Sequence, residues 1–198
     1  ALTFVTNTSS IDSVPSIKNG NDKAHTIGLG AMGLHTAFAM NQIMYGSPES
    51  IELTDAYFLA LNYYTLLSSN QIARQRGESF YNFDKSDYYS GKYFDRYTEE
   101  EFSFKSEKVS KIFENIEIPS TWDWLRLKED VRLYGLYHQN RLAIAPTGSI
   151  SYVNETSASL HPITRLIEER QEKKTGKTYY PAPHLSNETL PFYKSAYD

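Results

Sequence analysis

The feature that most limits what this chain can fold into is a long amphipathic run that ends near Arg76. Leu53, Tyr57, Ala60, Leu61, Tyr64 and Leu67 recur at three- and four-residue steps, which places them on one face of a helix. Ser47-Pro48 supplies its opening, a capping side chain followed by proline at the first helical position. Arg74 and Arg76 suit the negative end of the helix dipole, and Gly77 can take the left-handed conformation that ends a helix. Such a helix needs apolar partners along its length. Residues 31–43 read as one, carrying Met32, Leu34, Phe38 and Met40. Residues 105–115 and 121–134 read as two more, the latter opened by Ser120-Thr121 and closed by Gly135.

The remaining segments are less regular. Residues 1–22 read as the end of a helix running into a turn-rich stretch from Pro15 to Asp22. Residues 78–104 are aromatic and acidic without a period, which predicts a structured excursion with short helical turns. Arg141-Leu142-Ala143-Ile144-Ala145 is a short apolar run ending at Pro146 and is the best candidate for a buried strand. Residues 164–180 alternate in character around Lys174-Thr175-Gly176-Lys177, the pattern of a β-hairpin. Ser195-Ala196-Tyr197-Asp198 carries no terminator, so the chain reads as truncated.

Composition narrows the classes. With 40% hydrophobic and 22% charged residues, the 198-residue chain should form a folded, soluble core. Sixteen tyrosines predict polar contacts inside that core, because a buried hydroxyl needs a partner. The net charge of −4 comes from mixed signs with no basic block, which argues against direct nucleic-acid binding. No signal peptide and no membrane-length apolar stretch are visible, so no membrane association and a cytoplasmic location are the default. There is no cysteine, which excludes disulfides, thiol catalysis and thiolate metal sites within these residues.

Several motifs invite chemistry. Gly28-Leu29-Gly30-Ala31-Met32-Gly33 fits the dinucleotide-binding pattern, but the residues before it are too polar for a central strand, and Glu52 lies in a helix opening. Small residues that allow close packing are the simpler reading. The five histidines, His25, His35, His138, His161 and His184, lack metal-site spacing and read as hydrogen-bonding or surface residues. Glu168-Glu169 could supply paired carboxylates, yet Arg165, Arg170, Lys173 and Lys174 nearby suggest a solvated, ion-paired ribbon. Tyr179-Tyr180 before Pro181 reads as a packing pair rather than a redox pair.

Pro146-Thr147-Gly148-Ser149-Ile150-Ser151 differs in kind. An apolar run enters a turn with one glycine and several hydroxyls, and Ile150-Ser151-Tyr152 can begin a helix. Amides at such a start have no intrahelical acceptor and can hold an anion, while Gly148 would let it come close. Pattern alone leaves two readings open, and an ordinary capped turn is the commoner of them.

These residues also carry a family resemblance. Leu142-Ala143-Ile144-Ala145-Pro146-Thr147-Gly148-Ser149-Ile150-Ser151-Tyr152 resembles the substrate-phosphate loop of the large (alpha) subunit of class Ib ribonucleoside-diphosphate reductase. Ser13-Val14-Pro15-Ser16-Ile17, Gly20-Asn21-Asp22, Ala24-His25-Thr26-Ile27-Gly28-Leu29-Gly30, Ser157-Ala158-Ser159-Leu160-His161-Pro162-Ile163 and Lys177-Thr178-Tyr179-Tyr180-Pro181-Ala182-Pro183 resemble further segments in the same order.

The resemblance implies a helix-rich α/β fold. Residues 1–198 would be a single segment, cut at both ends, of a ten-stranded α/β barrel, with its glycines at 28–33 in a helical segment. It implies that Pro146, Thr147, Gly148, Ser149 and Ile150 hold the diphosphate of a ribonucleoside diphosphate, mainly through backbone amides. Some relatives have a hydroxyl residue where Ile150 stands. The implied reaction replaces the ribose 2′-hydroxyl by hydrogen through a cysteine thiyl, supplying deoxyribonucleotides for DNA synthesis. The cysteines, the radical-relay tyrosines and the allosteric site would lie outside these residues, so no catalytic residue and no metal ligand are assigned here. The intact enzyme would use ATP and deoxynucleotide effectors, a radical-generating small (beta) subunit with a Mn or Fe tyrosyl radical, and a glutaredoxin-like reductant. Its large subunit would be a homodimer. The segment alone would be inactive and would expose apolar faces. A relative among glycyl-radical or other phosphate-loop barrel enzymes, and a helical interaction module without a catalytic parent, are the alternatives.

Overall fold

The computed structural model describes residues 1–172, 176–194 and 196, and it divides into two compact units. The first comprises Ala1–Leu29 and Asp55–Ala143; the second comprises Gly30–Thr54 and Ile144–Asp198. The expected turn residues Lys174 and Thr175, with Lys173, lie outside the described residues, as do Ser195, Tyr197 and Asp198.

The first unit contains α1 (Leu2–Thr8), α2 (Pro15–Ala24) and most of the 29-residue α4 (Pro48–Arg76). After α4 come 3-10 turns at Phe83–Lys85 and Lys92–Phe94, the short helices α5 (Asp87–Ser90) and α6 (Asp95–Thr98), then α7 (Glu107–Ile112) and α8 (Thr121–Tyr134). The excursion at 78–104 is thus the expected series of short turns. The stretch from Pro15 is not a turn but the helix α2: Pro15 begins it, and Lys18 and Asp22 pair at 2.5 Å along one face.

Leu66, Phe80, Phe94, Trp124, Leu127, Val131 and Leu136 form the core of this unit, with Tyr63, Leu67, Tyr88, Tyr93 and Tyr97 packed around it. Along α4 the buried stripe coincides with the expected face in part. Leu53 and Ala60 are buried as expected, and Ala56, Leu66, Ser69, Asn70 and Ala73 are buried beside them, whereas Tyr57 and Tyr64 are 39% and 40% exposed. The small residues allow close packing, while the Tyr64 hydroxyl sits near the surface and donates to the Glu117 carbonyl at 3.0 Å.

The helix ends are individually satisfied. At the start of α8 the Ser120 Oγ accepts from the Asp123 amide at 3.2 Å, and Asp123 accepts from the Ser120 amide at 2.9 Å. At its end Asn70 Nδ2 donates to the carbonyls of Asp130 (3.0 Å) and Gly135 (2.8 Å). Gly135 has φ +78°, and a Cβ there would lie 1.8 Å from Ser79 Oγ, so only glycine fits. Gly77 ends α4 with φ +64°, the left-handed conformation expected for it.

The expected strand at 141–145 is reduced to one bridge. Leu29 pairs with Leu142 in parallel, its amide donating to the Arg141 carbonyl at 2.8 Å and its carbonyl accepting from Ala143 at 3.0 Å. A parallel strand is stable when covered on both faces and paired along its length. Here no longer ladder forms among the described residues, and Ile144 is 46% exposed.

The second unit contains α3 (Leu34–Met40), α9 (Ile150–Val153), the strands β1 (Ile167–Glu172) and β2 (Gly176–Pro181), and α10 (Leu190–Lys194). The strands form the expected hairpin, antiparallel with Glu168 opposite Tyr180 and Arg170 opposite Thr178. Ala39, Ala182 and Tyr193 make its core with Ile163, Leu166 and Phe192. The helix expected over 31–43 is shorter, because Gly33 (φ +83°) starts it. Gly28 to Met32 are therefore not helical. Among the described residues no helix is long and apolar enough to cross a membrane. The expected exposure of apolar side chains is present: α1 buries none of its residues, and Phe4 is 70% exposed.

Two outcomes test this packing. Trp124→Ala, which empties a site only 1% exposed, should cost about 3–5 kcal/mol of unfolding free energy in denaturant titrations. Trp122→Ala on the same helix, where the ring is 66% exposed, should change it by less than about 0.5 kcal/mol. The second test is pH. Burial, reinforced by His25, Arg141 and Arg76, pushes the His138 imidazole from 6.5 down to about 4. The unfolded chain therefore takes up a proton between pH 6.5 and 4 that the folded chain refuses. This contribution to stability is intact above pH 6.5 and is lost as the pH falls toward 4. His138→Gln should flatten the stability-versus-pH slope in that window by up to ~1.4 kcal/mol per pH unit.

Candidate functional site

Residues 146–150 lie on the surface of the second unit as a turn at Gly148 and Ser149 leading into the single turn of α9. Pro146, Gly148, Ser149 and Ile150 are exposed, Thr147 is half-buried, and Ser151 is buried. The sequence-derived set is thus contiguous and accessible.

The conformational strain falls on Thr147 rather than on Gly148. Thr147 has φ +49°, a region that β-branched residues avoid, whereas Gly148 does not need a positive φ. Thr147 is held there at two points. Its Oγ1 accepts from the buried Ser159 amide at 2.7 Å, and its carbonyl accepts from the Ser151 amide at 3.1 Å. Ser159 is fixed in turn: its carbonyl and that of Ser157 accept from the Gly33 amide at 3.0 and 2.9 Å. The Ser157 Oγ accepts from the Thr36 amide at 3.2 Å, and the Thr36 Oγ1 accepts from the Ser157 amide at 2.9 Å. Gly33 is required in this arrangement, since a Cβ there would lie 2.1 Å from Thr156 Oγ1.

This leaves the amides of Gly148, Ser149 and Ile150 without an acceptor among the described residues. A Cβ on Gly148 would meet nothing within 4 Å. The protein therefore gives no steric reason for glycine at this position. No lysine or arginine occurs between Arg141 and Arg165 in the sequence. What the loop offers is neutral: consecutive N–H donors and the Ser149 hydroxyl, suited to anionic oxygens.

The other candidates resolve as structural features. Gly28 faces the Ala143 side chain, with a Cβ there 3.0 Å from Ala143 Cβ, and Gly33 is the tight helix start described above. No phosphate cradle joins them. His25 stacks on Tyr137 with ring centroids 4.0 Å apart, and its Nε2 lies 3.3 Å from Glu78. His35 Nδ1 accepts from the Ile163 amide at 3.0 Å while Nε2 faces the Phe192 carbonyl at 3.4 Å, and burial holds the ring below its ordinary value. His138 Nδ1 lies 3.0 Å from Ser69 Oγ and Nε2 lies 3.0 Å from Thr3 Oγ1. His161 and His184 are exposed. Among the described residues no group of His, Asp and Glu could hold a metal ion. The Thr147–Ser159 tie was not visible in the sequence, because twelve residues separate partners that are each common types.

All of the chain, residues 1–198, matches the family model described as the ribonucleotide reductase barrel domain. The chain is 48% identical over its whole length to the ribonucleoside-diphosphate reductase NrdEB subunit alpha of Bacillus subtilis (strain 168), of which it covers 18%. It is 45% identical over its whole length to the ribonucleoside-diphosphate reductase subunit alpha of the same organism, covering 28% of it. It is 39% identical, over 98% of its length, to the corresponding subunit of Mycoplasma pneumoniae, again covering 28%. The chain thus spans between 18% and 28% of the length of these relatives.

The Thr147 geometry generates a prediction of its own. Thr147→Val removes the acceptor of the buried Ser159 amide and should cost about 1–3 kcal/mol of stability. Thr147→Ser keeps the hydroxyl and should recover most of that loss. Native-state hydrogen exchange at Ser159 would report it, and full protection of that amide in Thr147→Val would contradict the assignment.

Proposed function

This chain belongs to the ribonucleotide reductase barrel-domain family, and from that premise we propose that residues 1–198 are one segment of the catalytic barrel of a ribonucleoside-diphosphate reductase large subunit. In this reading the subunit reduces ribonucleoside diphosphates to deoxyribonucleoside diphosphates, and this segment holds the diphosphate end of the substrate. Pro146, Thr147, Gly148, Ser149 and Ile150 form the grip.

The observation that carries the reading is the set of exposed amides at Gly148, Ser149 and Ile150 with no acceptor among the described residues. Backbone N–H groups held in fixed positions bind phosphate oxygens with little reorganisation. Gly148 supports it further. A glycine with no packing or dihedral need leaves space for something outside the fold, and a substrate phosphate would fill that space. The Ile150 side chain is apolar and exposed, so this residue would contribute through its amide alone.

Chemistry at the ribose would come from elsewhere in the longer protein. These 198 residues contain no cysteine, so thiyl formation and the dithiol reduction of the product need residues outside them. The radical would be delivered by a small (beta) subunit with its Mn or Fe tyrosyl radical. A glutaredoxin-like protein would restore the dithiol, and ATP and deoxynucleotides would act as effectors. The large subunit would be a homodimer working in the cytoplasm.

The test is substitution at the open glycine. Gly148→Val in the full-length large subunit should weaken binding of a ribonucleoside diphosphate by tenfold or more, about 1.4 kcal/mol, with the unfolding midpoint little changed. Affinity equal to that of the unsubstituted subunit would remove the loop from the substrate site.

A further inference from the structure

The loop at 146–150 is secured on its N-terminal side by Thr147 and Ser159, which leaves open what secures its other side. A helix of one turn does not hold its shape in isolation, and α9 exposes both Ile150 and Val153. Its outward tie is Tyr152. The Tyr152 hydroxyl donates to Glu168 Oε2 at 2.6 Å, a short charge-assisted hydrogen bond. The other oxygen of Glu168 accepts from Arg170 Nε at 2.8 Å, and the Arg170 guanidinium lies over the Tyr152 ring, 4.4 Å from its centroid. Tyr180 packs against the same ring at 4.7 Å.

These contacts have a common origin in the hairpin. Glu168 and Arg170 are two apart on β1, so they share a face, and Glu168 stands opposite Tyr180 on β2. One face of the β1–β2 hairpin thus presents a carboxylate, a guanidinium and an aromatic ring to a single tyrosine. An exposed ion pair alone contributes little to stability. Here both carboxylate oxygens are engaged and the pair encloses a ring, which makes it a socket. Burial and the bond to Glu168 raise the Tyr152 phenol to about 12, while Tyr152 and Arg170 lower Glu168. At neutral pH the phenol is therefore the donor and the carboxylate the charged acceptor.

We propose that Tyr152 and Glu168 are positioning residues for the diphosphate loop: with Thr147 and Ser159 they bracket the Gly148, Ser149 and Ile150 amides from both sides. The inference rests on the reading of 146–150 as the diphosphate grip. It gives the hairpin a role beyond packing, because the hairpin's socket fixes the direction in which those amides point.

The experiment uses the full-length large subunit and binding of a ribonucleoside diphosphate measured by equilibrium dialysis, with Gly148→Val run in parallel. Tyr152→Phe removes only the hydroxyl, and Glu168→Ala removes its acceptor. Each should raise the Kd about fivefold or more, and Glu168→Gln, which keeps an acceptor oxygen, should recover most of the affinity. Hydrogen exchange in the peptide 146–153 should quicken in Tyr152→Phe and Glu168→Ala while the peptide 121–134 is unchanged. If Gly148→Val weakens binding but Tyr152→Phe and Glu168→Ala do not, the bracket is wrong and the loop reading stands. If none of the three weakens binding, both fall. Quickened exchange in both peptides together would mark general destabilisation and would also overturn the positioning role.

Discussion

A helix or turn that ends inside protein leaves amides and carbonyls that water cannot reach, and the architecture depends on finding each of them a partner. In the first unit Asn70 serves two carbonyls at the end of α8, and Ser69 accepts from the His138 amide at 3.0 Å. In the second unit the reciprocal pair of Thr36 and Ser157 closes the start of α3 with a residue 121 positions away. Such bonds gain about 1 kcal/mol each when made and cost more when one partner is missing. They therefore act less as sources of stability than as conditions that fix which surfaces can meet.

The candidate loop inherits its geometry from these conditions. Ser157 and Ser159 are held by Gly33 and Thr36; Ser159 holds Thr147; and Thr147, in a conformation it would not choose alone, sets the path of the next residues. The strain at Thr147 is thus maintained by contacts on its far side. The Gly148, Ser149 and Ile150 amides remain unspent at the end of this chain of ties.

What could be read from sequence was what depends on near neighbours. The opening of α8 at Ser120-Thr121, the Gly135 and Gly77 stops, the hairpin and the start of α4 at Pro48 each rest on a few adjacent residues, and each was legible. The stripe along α4 held at Leu53 and Ala60 and failed at Tyr57 and Tyr64, because burial also went to Ala56, Ser69, Asn70 and Ala73, whose small or polar side chains carry little hydrophobic weight. The strand at 141–145 depended on neighbours along its whole length, and pattern could not reveal that, among the described residues, only Leu29 would pair with it. The loop could be located from its glycine and hydroxyls. Its left-handed threonine, the Ser159 tie and the Tyr152–Glu168 contact could not, since all depend on tertiary approach.

The two faces of the hairpin carry a last implication. Turned inward are Glu168 and Tyr180; on the opposite face the same two residue types stand opposite each other as Glu169 and Tyr179. A one-residue offset of both strands would exchange the faces and still offer a carboxylate and a phenol to Tyr152. It would replace Arg170 by Gln171. The doubled acid and doubled tyrosine therefore give the two faces of the ribbon the same pair, and the arginine is the mark that tells the right side from its near copy.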